Sequence, residues 1–240
     1  MAKSSSSDPQ LERFSASDLG LALLALASGG TDVMAFLTLG NIFTSAMTGN
    51  MALLAIAVGQ GRLISALLSF LALVGFVFGV VVATAIYDPG KSSAHAVLRP
   101  LVTLEIACLA GFAVAWYVVD RSLESAGLDA LILLSATAMG IQGVIARHIN
   151  APGINTIVFT STLVAIVMSV TGALARPSLH PPVRIRTARQ IVIFLAYGLG
   201  GLLAAIFISR DTGIIQWVPL LAAAGAVSCF ELGEQPPVTN

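Results

Sequence analysis

Eight long apolar stretches separated by short polar ones occupy most of this chain. Hydrophobic residues make up 57% of the sequence and charged residues 10%, whereas soluble domains carry about 25% charged residues. Because a helix needs about 20 apolar residues to cross a bilayer, the pattern predicts an all-α, polytopic transmembrane helix bundle surrounded by the lipid bilayer. The stretches run over about 18–39, 42–60, 63–87, 98–119, 128–149, 154–175, 190–209 and 213–230.

Two polar interruptions of the apolar pattern resemble each other. The first lies at 40–50 and the second at 152–162, and each carries Gly or Pro followed by hydroxyl and amide side chains. Paired interruptions in corresponding parts of two halves indicate the binding site of many transporters. We therefore predict an internal repeat of two halves, the first at 17–120 and the second at 127–231.

The number of membrane crossings stays open between two arrangements. Eight crossings place four in each half, which makes the halves parallel repeats. If the second and sixth stretches only enter the membrane and return, six full spans remain and the halves are inverted. Thr48, Gly49 and Asn50 dilute the second stretch, but composition alone does not choose between the arrangements.

One transmembrane domain, 17–231, is predicted between two polar tails. Residues 1–16 lack the apolar core of a signal peptide, so we expect a disordered tail and then an uncleaved signal anchor. Residues 232–240 are expected to form a short C-terminal tail. With eight spans, eight Lys and Arg residues fall on the side of the N-terminus and four on the other. This excess predicts a protein of the cell membrane, plasma or inner, with both termini in the cytoplasm.

Two carboxylates interrupt the apolar stretches. Asp32 lies inside the first stretch and Glu105 inside the fourth. A carboxylate at such a position costs about 2.5–3.5 kcal/mol on insertion scales, which makes each a candidate for ion or solute binding. The structural alternatives are an ion pair or, for Asp32, hydrogen bonds to nearby backbone, while Glu105 lies close enough to a helix end to reach the interface.

Other polar side chains near the interruptions extend the predicted site. Arg147 either pairs with a carboxylate, meets an anionic solute or lies at the membrane interface, and Gln142 is suited to hydrogen bonding between helices. The half-helices after the interruptions offer free N–H groups to an anion, although their hydroxyls also have the harmless option of bonding to their own helix. The predicted solute- or ion-binding residues are Asp32, Thr48, Asn50, Glu105, Gln142, Arg147, Asn155, Thr160 and Thr162.

Small residues in the third and seventh stretches predict close helix packing. Gly75 and Gly79 have the Gly-x-x-x-Gly spacing, and Gly198 and Gly201 lie in a second run of small residues. Faces of this kind join the halves of one chain or build a homo-oligomer.

Patterns typical of enzymes are missing from the sequence. It contains no Gly-x-Ser-x-Gly elbow, phosphate-binding loop or His-Glu-x-x-His motif, and we expect no catalytic activity, cofactor or metal site. Cys108 and Cys229 lie inside apolar stretches and are expected to be packing residues. The formal net charge is +0, which leaves no basic face for nucleic acid.

The interruptions and the residues before them also carry the motifs of a known family. Gly29-Gly30-Thr31-Asp32 with Met47-Thr48-Gly49-Asn50, and Met139-Gly140-Ile141-Gln142-Gly143 with Pro152-Gly153-Ile154-Asn155-Thr156, resemble the signatures of the YoaK-like membrane proteins, domain of unknown function 1275. The family usually has Asn at the position of Gly143. The resemblance implies a multi-pass inner or plasma membrane protein and implies no substrate.

These observations favour a transporter or permease for a small molecule or ion, with a polar site between its halves. Asp32 is the predicted coupling or selectivity carboxylate, joined by Glu105, and a proton is a candidate coupling ion. The alternative is a non-transporting membrane scaffold, assembly factor or sensor, in which the same polar side chains hold helices together.

Overall fold

Eight α-helices make up most of the chain in the computed structural model, which describes residues 14–86, 94–119, 122, 124–148, 159–175, 185–210 and 213–232. No strand occurs among these residues, so the predicted all-α bundle with eight apolar segments is confirmed. Most of the two predicted tails lies outside the described residues. The helices are α1 Ala16–Thr38, α2 Met47–Gly59, α3 Leu63–Ile86, α4 Ala94–Val118, α5 Ala126–His148, α6 Phe159–Ala175, α7 Ile185–Ser209 and α8 Val218–Leu232, with a 3-10 turn at Ile215–Trp217.

The helices differ in whether they are long enough to cross a membrane. Five are long and apolar enough, namely α1, α3, α5, α7 and the Leu98–Val118 part of α4. The apolar segments of α2, α6 and α8 are shorter. α2 has 13 residues, which is about 20 Å of helix against a hydrocarbon core of about 30 Å. α2 is therefore too short to cross the bilayer by itself.

The first helix begins at a reciprocal cap. Ser15 Oγ accepts a hydrogen bond from Asp18 N at 3.3 Å, and Asp18 Oδ2 accepts one from Ser15 N at 2.7 Å. Each side chain thereby satisfies a backbone N–H group at the helix start. Asp18 Oδ2 also lies 3.0 Å from Arg189 Nε, near the beginning of α7. The beginnings of α1 and α7 therefore lie at the same end of the bundle.

α1 and α7 run in the same direction along their whole contact. Beyond the ion pair at Asp18, Gly29 lies against the backbone of Tyr197 and Val33 lies against Gly201. Positions further along α1 therefore meet positions further along α7.

α3 and α5 form a second parallel pair. Gly75 lies against Leu133, and one turn later Gly79 lies against the backbone of Thr137. Both pairs are therefore parallel. Each pair joins a helix of the first half of the chain to a helix of the second half.

α1 and α5 run in opposite directions. Near the beginning of α1, Ala22 packs in a core cluster with Ala146 at the end of α5. Just past the end of α1, Leu39 packs in another cluster with Leu128 at the beginning of α5. Eight alternating crossings would make α1 and α5 parallel, so the predicted option of eight spans with parallel halves is inconsistent with this packing.

α8 runs against α1. Gly20, near the beginning of α1, meets Phe230 near the end of α8, and Leu23 meets Gly225 one turn earlier in α8. The same antiparallel packing relates α4 to α5 in the other half of the bundle.

α4 meets α5 at both ends of the contact. Gly111 faces Leu134, whereas Leu101, earlier in α4, shares a core cluster with Ile145, later in α5. α1, α4 and α7 therefore run in one direction and α3, α5 and α8 in the other.

Glycines allow the parallel pairs to pack backbone against backbone. A Cβ atom at Gly200 would lie 2.0 Å from the carbonyl oxygen of Leu26, and one at Gly79 would lie 2.2 Å from that of Thr137. No side chain fits at such distances, so these contacts depend on glycine.

The glycine faces predicted to build a homo-oligomer are used largely inside the chain. Gly75 and Gly79 are covered by α5, and Gly201 is covered by Val33 of α1. These three positions therefore join the halves of one chain, which is one of the two predicted uses, and they are not available to a second copy. At Gly198 an added Cβ atom would meet no described atom within 4 Å.

We expect Gly200→Ala to destabilise the protein strongly and Gly198→Ala to leave its stability unchanged or slightly higher. The new methyl at position 200 must push α1 and α7 apart, and overpacking of this kind costs about 1–3 kcal/mol or more. The methyl at position 198 replaces empty space and adds helix propensity. Thermal unfolding of the purified protein in detergent measures both variants, and equal melting temperatures would contradict the close crossing of α1 and α7.

Candidate functional site

Asp32 lies deep in the bundle. It is six residues before the end of α1 at Thr38, which is about 9 Å along the helix axis. Its relative exposure is 1%. A charged group buried to this extent needs hydrogen-bond donors to offset its lost hydration, and the structure supplies them from two directions.

Five hydrogen bonds converge on the Asp32 carboxylate. Oδ1 accepts from the backbone N–H groups of Thr44 and Ser45, both at 2.7 Å, and from Thr44 Oγ1 at 3.1 Å. Oδ2 accepts from Ser45 Oγ and from Tyr197 Oη of α7, both at 2.7 Å. A carboxylate has about four lone-pair sites, so this one is saturated by the protein itself.

The segment 39–46 folds back along α1 to reach Asp32. It reverses direction at Gly40 and Asn41, which have φ values of 84° and 63°, the left-handed conformation that glycine and asparagine tolerate best. The chain then descends in non-helical form to Thr44 and Ser45 before α2 begins. The first predicted interruption is therefore a returning loop followed by a short helix.

Asn50 holds the other side of this loop. Its Oδ1 accepts a hydrogen bond from Phe43 N at 2.8 Å, and its Nδ2 donates to Phe43 O at 2.6 Å. The Phe43 ring stacks on Phe36 of α1, with 5.1 Å between the ring centroids. The loop is thus bound by Asp32 on one side and by Asn50 on the other, and both side chains are buried.

The positive end of α2 already faces an anion from within the chain. The N-cap residue, Ala46, makes no side-chain cap, and the two N–H groups just before it are directed to Asp32. A carboxylate at a helix N-terminus is stabilised by the helix dipole. The sequence predicted that free N–H groups at the start of this half-helix could bind an anion. In the first half, the carboxylate of Asp32 is that anion. Thr48, in the first turn of α2, is exposed, and the five hydrogen bonds to Asp32 come from other residues.

Gln142 joins α1 to α5. Its Nε2 donates to the carbonyl oxygen of Leu24 at 2.6 Å, and its Oε1 accepts from Ser28 Oγ at 3.3 Å. Its relative exposure is 2%. Both ends of the amide are therefore satisfied across the contact between the two halves.

Glu105 is buried without any hydrogen bond. Its relative exposure is 1%, and neither carboxylate oxygen has a partner among the described residues. Leu101 and Leu109, one turn on either side, belong to the same core cluster as Met139 of α5. Glu105 therefore lies on the buried face of α4, and it does not reach an interface.

The remaining predicted residues do not join Asp32. Arg147 is exposed in the last turn of α5, and Thr160 is exposed in the first turn of α6. Thr162 is buried on α6, with 5% exposure. Asn155 lies outside the described residues, as does most of the second interruption. Of the nine predicted residues, Asp32 and Asn50 are thus brought to one place, at the first interruption.

Three residues of the Asp32 cluster were not among those predicted. Thr44 and Ser45 lie within the first interruption, so their position in the sequence could have identified them as candidates. Tyr197 is an isolated phenol in the apolar α7, and only the packing of α7 on α1 identifies it as a donor to Asp32.

Comparison with known proteins agrees with this architecture. The family model described as "Protein of unknown function (DUF1275)" matches residues 20–230. The chain belongs to this family. It is also 29% identical over 219 residues to the UPF0700 transmembrane protein YoaK of Bacillus subtilis (strain 168), an alignment that covers 88% of this chain and 93% of that protein. No solved structure matches the chain. The protein is an integral, multi-pass membrane protein of the YoaK/DUF1275 family.

We expect the stability lost at the Asp32 cluster to follow the order Asp32→Ala, Asp32→Asn, Tyr197→Phe, from largest to smallest. Alanine leaves two buried N–H groups without acceptors, at about 1–3 kcal/mol each. Asparagine keeps one oxygen for them, and phenylalanine removes a single donor. Thermal unfolding measures the order, with Glu124→Gln, an exposed carboxylate, as the control.

Labelling the loop checks the same order independently. In a background without Cys108 and Cys229, Ala46→Cys should react with a maleimide faster when Asp32 is alanine than when it is aspartate. Equal labelling rates and equal stabilities would mean that Asp32 does not hold the loop.

Proposed function

We propose that this protein is a non-enzymatic transporter or permease for a small solute or ion, and that its transport path passes the first interruption. The observation that carries the proposal is the non-helical backbone at Thr44 and Ser45, held at the depth of Asp32. In membranes such backbone is tolerated only where protein buries it or where it lines a water-filled cavity. A membrane protein that only anchors helices has no need of it.

The directions of the helices support an inverted repeat. If α1 corresponds to α5, α3 to α7 and α4 to α8, each helix runs opposite to its counterpart. The pairing of α1 with α7 then corresponds to that of α5 with α3, and α1 with α8 corresponds to α5 with α4. Six crossings follow if α8, together with the 3-10 turn Ile215–Trp217 before it, makes the sixth, with α2 and α6 entering the membrane and returning. Transporters commonly combine inverted repeats with broken helices at the binding site.

The distribution of basic residues supports the same six crossings. The six-crossing arrangement puts nine of the 12 Lys and Arg residues on the side of the N-terminus and leaves Arg62, Arg121 and Arg210 on the other side. The excess is larger than the eight against four of the eight-span arrangement. By the positive-inside rule both termini lie in the cytoplasm, and the protein belongs in the cell membrane.

Glu105 is better suited than Asp32 to carry a coupling proton. The oxygens of Asp32 are occupied by five hydrogen-bond donors of the protein, whereas Glu105 has no partner among the described residues. An unpaired carboxylate in an apolar core is far less costly when neutral. A conformational change that hydrates Glu105 would release its proton, which couples proton movement to the rearrangement.

We expect the purified protein in liposomes to transport at least one of three poorly permeant probes: benzenesulfonate, choline or glycine. Labelled uptake measures solute movement, and a pH-sensitive dye inside the vesicles measures accompanying protons. Glu105→Gln keeps the neutral form permanently, so solute exchange should persist while the pH change disappears. Glu124→Gln, exposed in a loop, is the matched control.

The scaffold or sensor alternative has one observation in its favour, namely that the protein itself satisfies every lone pair of Asp32. On this alternative Asp32→Asn lowers only the amount of folded protein and no probe is transported. Cysteine labelling at Ala46→Cys separates the two functions further. A transporter should expose this position to one side of the membrane in some conditions, whereas a static scaffold should never do so.

A further inference from the structure

A cavity of about 250 Å³ lies where the ends of α1 and α2 meet the beginning of α3. Gly40 and Asn41, at the reversal of the first interruption, form part of its wall. It is therefore continuous with the loop that Asp32 holds, although neither Asp32 nor Glu105 lines it. In the six-crossing arrangement it lies on the side opposite the termini.

Ser69 places an unused hydroxyl group in this cavity. Its relative exposure is 2%, yet its side chain makes no hydrogen bond within the described part of the chain. A buried helical serine usually bonds back to its own helix, as Ser135 does to the carbonyl oxygen of Leu131 at 2.8 Å. Ser65, one turn earlier, also lines the cavity. The Ser69 oxygen is not among the fully buried unpaired polar atoms of the described residues, so it is open to the cavity, where water or a ligand can supply its partner.

Arg62 supplies the charge at this cavity. It stands at the turn between α2 and α3, and its guanidinium makes no ion pair with any described carboxylate. Its backbone is held at this turn, since Arg62 N donates to the carbonyl oxygen of Ala57 at 2.8 Å, and its side chain is exposed at the edge of the cavity. A guanidinium is suited to carboxylate, sulfonate or phosphate oxygens because its donors match their geometry.

The rest of the wall is apolar. Phe36 of α1, Leu53 of α2 and Leu68 of α3 line the cavity together with the polar groups. A site with an apolar body and a few convergent polar groups is typical of small-molecule binding. The lining combines a cation with apolar side chains, which suits a ligand that has both an anionic and an apolar end.

We propose that this cavity binds a small organic anion, with its acidic group at Arg62, its apolar body against Phe36 and Leu53, and the hydroxyls of Ser65 and Ser69 as further donors. The proposal rests on the proposed transport function only where it names the class of solute that enters from this side. Binding itself needs no transport. The binding proposal and the transport proposal can therefore fail separately.

The test is direct binding of 4-fluorobenzenesulfonate to the purified full-length protein in nanodiscs, followed by ¹⁹F NMR with empty nanodiscs as reference. We expect saturable binding, weakened at least about tenfold by Arg62→Ala, which corresponds to about 1.4 kcal/mol. Arg62→Lys should keep part of the affinity. Arg210→Ala, which removes an exposed arginine at the end of α7, should have no effect.

Two further measurements separate the pocket from general adsorption. Ser69→Leu should abolish binding by filling the cavity, with unchanged helicity and unfolding as proof that the variant folds. The permanent cation 4-fluorophenyltrimethylammonium should not bind in a saturable way. The proposal is overturned if Arg62→Ala binds like the wild type, if the cation binds as well as the anion, or if no saturable binding occurs.

Transport assays then distinguish the two proposals. Binding without uptake of benzenesulfonate would leave the cavity standing and remove the transport function for this solute. Uptake of choline or glycine without binding of the anion would leave the transport function standing and remove the cavity as its entry site.

Discussion

The Asp32 carboxylate solves a problem that the first interruption creates. A loop that returns into an apolar bundle brings backbone N–H groups to a depth where water is scarce, and each needs an acceptor. Asp32 accepts from two of them and from three hydroxyls. The cost of burying the charge and the cost of burying the N–H groups offset each other, so neither the loop nor the carboxylate is stable in this place without the other.

The same arrangement depends on close packing of α1 and α7. Tyr197 reaches Asp32 because the α7 backbone approaches α1 at Gly29 and Gly200, where an added Cβ atom would lie 2.0 Å from a carbonyl oxygen. A larger residue at either glycine would move the phenol away from the carboxylate. The glycine contacts therefore determine the polar cluster as well as the helix packing, and the loop is coupled to the position of α7.

The parts of this structure that sequence could predict are those that the bilayer or local chemistry dictates. Helix α3, Leu63–Ile86, matches its predicted stretch at 63–87 because a membrane-spanning helix must be long and apolar enough to cross the bilayer. Asp32 could be predicted as a site residue because a charge inside an apolar segment is costly. The direction of α5 against α1 was one of two predicted arrangements, and the use of Gly79 inside the chain was one of two predicted uses, because hydropathy does not choose between them. Tyr197 as a donor was not predictable, since hydropathy carries no information on which helices touch.

The two halves carry different chemistry, which bears on how a transporter of this design would work. Among the described residues the buried carboxylates, Asp18, Asp32 and Glu105, all belong to the first half, while the second half has the neutral Gln142 buried on α5. In an inverted repeat made of identical halves, the inward- and outward-facing states would have equal energy by symmetry. Here the first interruption is held by charge-assisted hydrogen bonds to Asp32, near the end of α1, whereas the carboxylate of α5, Asp129, lies in its first turn, at the other end of the helix. On the proposed transport function the two states would then differ in free energy, and a proton at Glu105 or the proposed anion beside Asn41 would shift the balance between them.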